Sequence, residues 1–240
     1  MTRILAIDTS SAWCSVALSV DDDIPTLLHQ KVSAGASQLL LPWIDQLLTA
    51  AAIELNVLDA IAIGVGPGAF TGVRLGVAAV QGLAIAAHLP VLPVISLDAI
   101  AAQLTQTPAF LLSKPRRFLI AVDARMNEVY WAHYLSSSQG LPERQGEVAL
   151  SSPENVLLDG IEFIAGSALH EYGERLLAHA KKPFSAVQLD PEIGLSALGS
   201  LACANQAWTA GLAQDVHQLE PVYVRNKVAY TAQERKQANL

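Results

Sequence analysis

Two segments of this chain share one pattern: Arg3-Ile-Leu-Ala-Ile-Asp8 is answered by Arg117-Phe-Leu-Ile-Ala-Val-Asp123. Each is a short apolar run closed by an aspartate, which reads as a strand covered on both faces. Turn chemistry follows each one, Asp8-Thr9-Ser10-Ser11 in the first copy and Ala124–Asn127 in the second. A returning strand comes next. From Cys14 to Val20 apolar and small polar residues alternate, and Glu128–Leu135 returns with Tyr130, Trp131 and Tyr134. Thr26–Val32 supplies a third strand of the first meander. Two strand–turn–strand units, each followed by strand–helix units, predict a duplicated α/β fold with helices on both faces of its sheets.

The intervening elements are read from periodicity. In Ser37–Ala52 the residues Leu40, Trp43, Ile44, Leu47, Leu48 and Ala51 recur at helical spacing, with Leu39 and Leu41 adding a second apolar face. Pro42 belongs to the first turn of that helix or kinks it. Leu58–Val65 is a strand leading into Gly64-Val-Gly-Pro-Gly-Ala-Phe-Thr-Gly72, and Thr71–Ala87 is a helix apolar nearly all round. Small residues at Gly72, Gly76 and Ala79 invite close backbone approach, and each mid-helix glycine costs about 1 kcal/mol relative to alanine. Packing must offset that loss. Val91–Ile95 is a strand between prolines, and Leu97–Leu104 starts a further helix. Strands at Glu162–Ala165 and Val187–Leu189, helices Ala168–Ala180 and Leu195–Ala210, and an extended Glu220–Arg225 complete the reading. The polar tail Asn226–Leu240 is expected to fray, and the domain boundary is expected near Leu97–Thr107.

Composition narrows the function classes. Charged residues are only 15% and hydrophobic ones 52%, which excludes intrinsic disorder. A net charge of −7 argues against nucleic-acid binding by the whole chain. Two cysteines, Cys14 and Cys203, cannot build a disulfide framework. The apolar stretch Val73–Val94 is broken by Arg74, Gln81, His88, Pro90 and Pro93, unlike a membrane span. A soluble, cytoplasmic protein without a membrane partner is the expectation.

Chemistry-bearing patterns are few. The glycine run lacks both the Gly-Lys-Ser/Thr ending of a P-loop and dinucleotide spacing, so a tight turn is its simpler reading. Asp8, Thr9 and Ser10 form a weak phosphate-type candidate, as at the first hairpin of an actin-like ATPase, with Asp123 as the natural partner across a cleft. The same residue types are ordinary turn formers. None of the six histidines makes an i, i+4 metal pair, and no Gly-x-Ser-x-Gly elbow is present. No catalytic set assembles, and no metal ligand is assigned.

Several motifs carry a resemblance. Ile4-Leu-Ala-Ile-Asp-Thr-Ser10, Gly64-Val-Gly-Pro-Gly-Ala-Phe-Thr-Gly-Val-Arg-Leu-Gly76, Gln81-Gly-Leu-Ala84, Asp123-Ala-Arg-Met-Asn-Glu-Val-Tyr130 and Pro221-Val-Tyr-Val-Arg225 stand in the order found in the TsaB (YeaZ) family. The resemblance implies an actin-like (ASKHA, RNase H-like) duplicated α/β fold with two subdomains, residues 1–99 with 212–240 and residues 100–211. It implies a non-catalytic subunit in making N6-threonylcarbamoyladenosine at position 37 of tRNA. The related TsaD performs the transfer, TsaE is an ATPase partner, and tRNA is met only through the complex. TsaD carries a metal-binding His-x-x-x-His, and the helix beginning Ala36-Ser37-Gln38 has no histidine. No cofactor is expected for the chain alone, with ATP or ADP a property of the complex. The expected docking surface, shared with a homodimer, comprises Leu40, Leu41, Ile44, Leu47, Gly72, Val73, Gly76, Val77 and Val80. The alternative is an enzyme: an actin-like kinase or ATPase using Asp8 and Asp123, or an M22-type metallopeptidase homologue.

Overall fold

Alternating apolar residues along the strands decide which helices cover them. In a computed structural model of the chain, describing residues 2–21, 23–32 and 35–225, two five-stranded sheets repeat one topology. The first is built from β1 (Arg3–Asp8), β2 (Trp13–Val20), β3 (Thr26–Lys31), β4 (Ala60–Gly66) and β5 (Val91–Ile95) in the order β3-β2-β1-β4-β5. Strands β1, β2 and β3 form an antiparallel meander, whereas β4 and β5 add in parallel through helical crossovers. The second sheet contains β6 (Arg117–Asp123), β7 (Val129–Leu135), β8 (Glu143–Ser151), β9 (Phe163–Ala165) and β10 (Leu189–Asp190). Its order, β10-β9-β6-β7-β8, is the same arrangement met a second time. The duplicated α/β fold expected from the two strand–aspartate segments is the fold observed.

On the first sheet Leu5, Ile7, Val16, Ile61 and Ile63 point to one side, where they meet α1 (Ala36–Ala50) and α2 (Phe70–Ala87). The other side carries Ile4 and the small residues Ala6, Ala17, Ala60 and Ala62, packed against α6 (Ala197–Thr209). Small side chains on that face let α6 lie close, while Ile4 and Leu201 each gain about 1.5–3 kcal/mol on burial. Helix α6 therefore covers the first sheet, although its sequence position lies within 100–211. On the second sheet α3 (Ser96–Leu104) and the short α4 (Pro108–Ser113) back Phe118, Ile120 and Tyr134, while α5 (Ala168–Leu177) backs Leu119, Ala121 and Ile164. Helices α3 and α6 join the two halves, touching so closely that a Cβ at Gly199 would overlap the Ala99 carbonyl oxygen.

Three local features differ from the sequence reading. Pro42 lies inside α1, past its first turn, which removes one of the two placements expected for it. Strand β8 and helix α4 were not anticipated: β8 is mostly polar and half exposed, and α4 has six residues, so neither presents a clear period. After α6 the chain returns to the first half, where Val222 N–H donates to Val65 O and Gln81 Nε2 donates to Leu219 O. The tail from Asn226 lies outside the described residues.

Candidate functional site

The turn after β1 is pressed from above by glycines. A Cβ at Gly64 would overlap the Asp8 carboxylate, one at Gly68 the Ser10 carbonyl, and one at Gly72 the Thr9 carbonyl. At Gly76 it would lie 2.7 Å from Thr9 Oγ1 and 2.8 Å from Ile63 Cδ1. The glycine run thus seats the loop and α2 on the end of β1. Asp8, Thr9 and Ser10 are brought together as expected, but at 1%, 2% and 0% exposure. Thr9 Oγ1 donates to Gly72 O at 2.7 Å. Ser10 donates through both its N–H and its Oγ to Asp8 Oδ1, each at 2.8 Å, and Ser10 Oγ also meets Ser96 Oγ at 2.9 Å. Burial pushes the Asp8 carboxyl above its ordinary value, opposed by its bonds to Ser10 and, least, by the nearby Ser200 hydroxyl. The turn is closed over, and its polar atoms other than Asp8 Oδ2 face one another or the backbone.

Asp123 is held differently. Its Oδ1 accepts from Arg125 N at 2.7 Å and from Tyr172 Oη at 2.9 Å, and Arg125 Nη1 stands 3.2 Å from Oδ2. Burial, then the bond to Asp123, pushes the Tyr172 phenol up to about 12. The turn itself is unusual, with Arg125, Met126 and Asn127 at φ 60, 57 and 58°. Such left-handed backbone costs roughly 1–2 kcal/mol per non-glycine residue. Arg225 holds it from outside, donating to Ala124 O at 2.8 Å and pairing with Glu128 at 2.8 Å. Asp8 and Asp123 share no hydrogen-bond partner.

A groove of about 210 Å³ runs between the glycine loop, the Ala124–Met126 turn and Val222–Arg225. Its lining is mainly apolar, with Phe70, Tyr130 and Tyr223 as its aromatic members. Arg74 lies 3.3 Å above the Phe70 ring and 5.0 Å from that of Tyr223. The groove is lined by three of the motifs that carry the resemblance: the glycine run with Phe70, the Asp123–Tyr130 segment and Pro221–Arg225. Ser96, Ser200 and Tyr172 carried no signal in the sequence, because each is an isolated polar residue in a helix. Among the described residues no group of three or more His, Cys, Asp or Glu side chains is placed to hold a metal ion.

The chain matches the family model described as TsaD, tRNA N6-adenosine threonylcarbamoyltransferase, over residues 29–238. It is 35% identical to the tRNA threonylcarbamoyladenosine biosynthesis protein TsaB of Escherichia coli, across 95% of this chain and 96% of that one. The chain belongs to the TsaB (YeaZ) family. The TsaB of Haemophilus influenzae is 34% identical with 95% of each chain covered. The solved structure of YeaZ from Pseudomonas aeruginosa superposes with a TM-score of 0.80 at 37% identity, covering 93% of this chain and all of that one. A second structure from that organism, described as similar to peptidase YeaZ, gives 0.81 at 37% identity, over 94% of this chain and all of that one. With two repeated mixed sheets, the chain has the actin-like duplicated fold of this TsaB family.

The structure places most of the docking residues expected in the TsaB resemblance inside the chain. Leu40, Ile44, Leu47, Val73, Gly76, Val77 and Val80 are buried in the chain's own core, and Gly72 faces Thr9. Only Leu41 is exposed, at 54%. The physical reason is the glycine contacts above, which turn that side of α2 onto β1 and β4. The opposite side, with Arg74, Ala78, Gly82, Ile85 and Ala86, faces outward, and Gly82 has open space where a Cβ would stand.

Proposed function

We propose that this chain serves tRNA N6-threonylcarbamoyladenosine formation as a non-catalytic subunit that docks on TsaD through the outer face of α1 and α2, with TsaE joining the pair. The carrying observation is the apolar helix Phe70–Ala87, with mean hydropathy 1.5 and only 28% of its residues buried. Leu41, Phe70 and Ile85 extend that uncovered surface at 54%, 49% and 51% exposure. Soluble domains rarely leave so apolar a face without a partner. The chain matches the TsaD family model itself, which supports a partner with an equivalent helix pair. Two such pairs meet as a four-helix bundle around a pseudo-twofold axis. A homodimer would use the same face, so the two associations compete. The closed Asp8 turn supports a non-catalytic role, and ATP or ADP then belongs to the complex. A net charge of −7 supports contact with tRNA through the complex rather than alone.

The test is calorimetric titration of TsaD with the parent chain and with Gly82→Leu and Ile85→Asp, circular dichroism confirming the fold. Affinity at least tenfold weaker in both variants is the expected result. Parental affinity in both places the interface elsewhere.

A further inference from the structure

One feature of the sealed turn is asymmetric. Asp8 Oδ1 accepts two hydrogen bonds, whereas Oδ2, equally buried, has no partner in normal bonding geometry. Ser200 Oγ, on α6, is the other buried orphan of the cluster. A neutral carboxylic acid shows this division: its carbonyl oxygen accepts, and its hydroxyl oxygen needs an acceptor instead. Neighbouring elements offer no compensating cation. Strand β2 contributes Cys14, whose thiol is pushed up to about 11 by burial and then by Asp8 itself. Strand β4 contributes the bare backbone of Gly64, and α3 contributes Ser96. Asp98, in the first turn of α3, is turned away to Tyr134 and Arg144. Among the described residues no Lys, Arg or His pairs with Asp8. An uncompensated carboxylate sealed from water takes up a proton rather than bear the full desolvation cost.

We propose that Asp8 is a neutral acid in the folded protein at pH 7, its Oδ2 proton shared with Ser200, so that it fastens β1 to α6 instead of facing a ligand. This deepens the non-catalytic reading, since a neutral, enclosed acid cannot meet a metal-bound phosphate. Folding then takes up a proton at neutral pH. The unfolded residue ionises near 3.8 and the folded one higher, so stability falls as pH rises above about 4.

The full chain, with 13C-labelled aspartate, is followed by NMR from pH 5 to 8.5, Asp8 Cγ being assigned by backbone tracing. A carboxylic-acid shift retained through pH 7 is expected; a carboxylate shift at pH 7 overturns the proposal. A second measurement compares the pH dependence of unfolding for Asp8→Asn and the parent. The amide keeps a donor toward Ser200 but takes up no proton, so the variant should gain on the parent with rising pH, by up to roughly tenfold in the folding equilibrium per unit. A difference that stays constant from pH 5 to 8 counts against it. TsaD affinity is read separately: an ionised Asp8 with intact TsaD binding sinks this proposal alone, and loss of TsaD binding by the parent sinks the proposed function alone.

Discussion

Asp8 and Asp123 close equivalent strands of a duplicated fold, yet the two acids are accommodated by opposite means. Around Asp8, Gly64, Gly68, Gly72 and Gly76 allow backbone and helix to close over the turn, and the partners are neutral serines. Around Asp123, Gly166 is the glycine pressed on the strand, and the acid is met by the Arg125 guanidinium and the Tyr172 hydroxyl. Even α5 bends at Tyr172, with φ −132°, where that side chain reaches Asp123. Duplication preserved the strand and its aspartate, while the supply of small residues decided whether the acid was sealed or paired. In the first half α2 is seated directly on the closed turn. The second kept a strained turn with Arg125 82% exposed.

The largest effect that can break this comparison lies in the glycines. Gly72→Ala should cost about 3 kcal/mol, the upper part of the usual overpacking range, because its Cβ meets a backbone carbonyl that cannot turn aside. Gly173→Ala in α5 has open space and should be neutral or stabilising by up to about 1 kcal/mol. Urea unfolding measures both, and equal effects would erase the distinction between the halves.

Next come the acids themselves. Asp8→Ala orphans the Ser10 N–H in a dry site and should cost roughly 1–3 kcal/mol, whereas Asp123→Ala, nearer solvent, should cost about 0.5–1.5 kcal/mol. Thermal denaturation of the two variants gives the ranking. A smaller effect is carried by Tyr172→Phe, at about 0.5–1 kcal/mol. Because the folded phenol titrates at about 12 rather than 10.0, its contribution is complete below pH 10 and lost as pH rises toward 12. The phenylalanine variant should lack that share of the alkaline loss in unfolding titrations. Smallest is Arg175→Ala, whose pairing with Glu154 is solvent-exposed. No measurable change in midpoint is expected, and a clear loss would show that the second turn depends on charge beyond Asp123.

Much of the fold was legible because strand burial leaves a plain trace. Ile4–Ile7 and Phe118–Val122 are apolar since helices cover both faces of their sheets, and the repeat of that pattern disclosed the duplication. The Asp8–Ser10 turn was also visible, as were the motifs that place the chain among TsaB proteins. Strand β8 was not legible, since a half-exposed edge strand with Glu143, Arg144, Gln145 and Glu147 has no apolar alternation to detect.

What the sequence by itself determined is therefore the buried strands of both sheets, the longer helices and the family. Only tertiary structure decided which side of α2 is inside. Periodicity reports residues that share a face, and a helix apolar all round has no face that periodicity can single out. Contact of Gly72 and Gly76 with Thr9 and Ile63 settles the question, turning Val73, Val77 and Val80 inward and Ala78, Gly82 and Ile85 outward. The same contacts seal Asp8, a fate that an aspartate at a turn does not disclose, because burial of a polar group depends on residues more than fifty positions away.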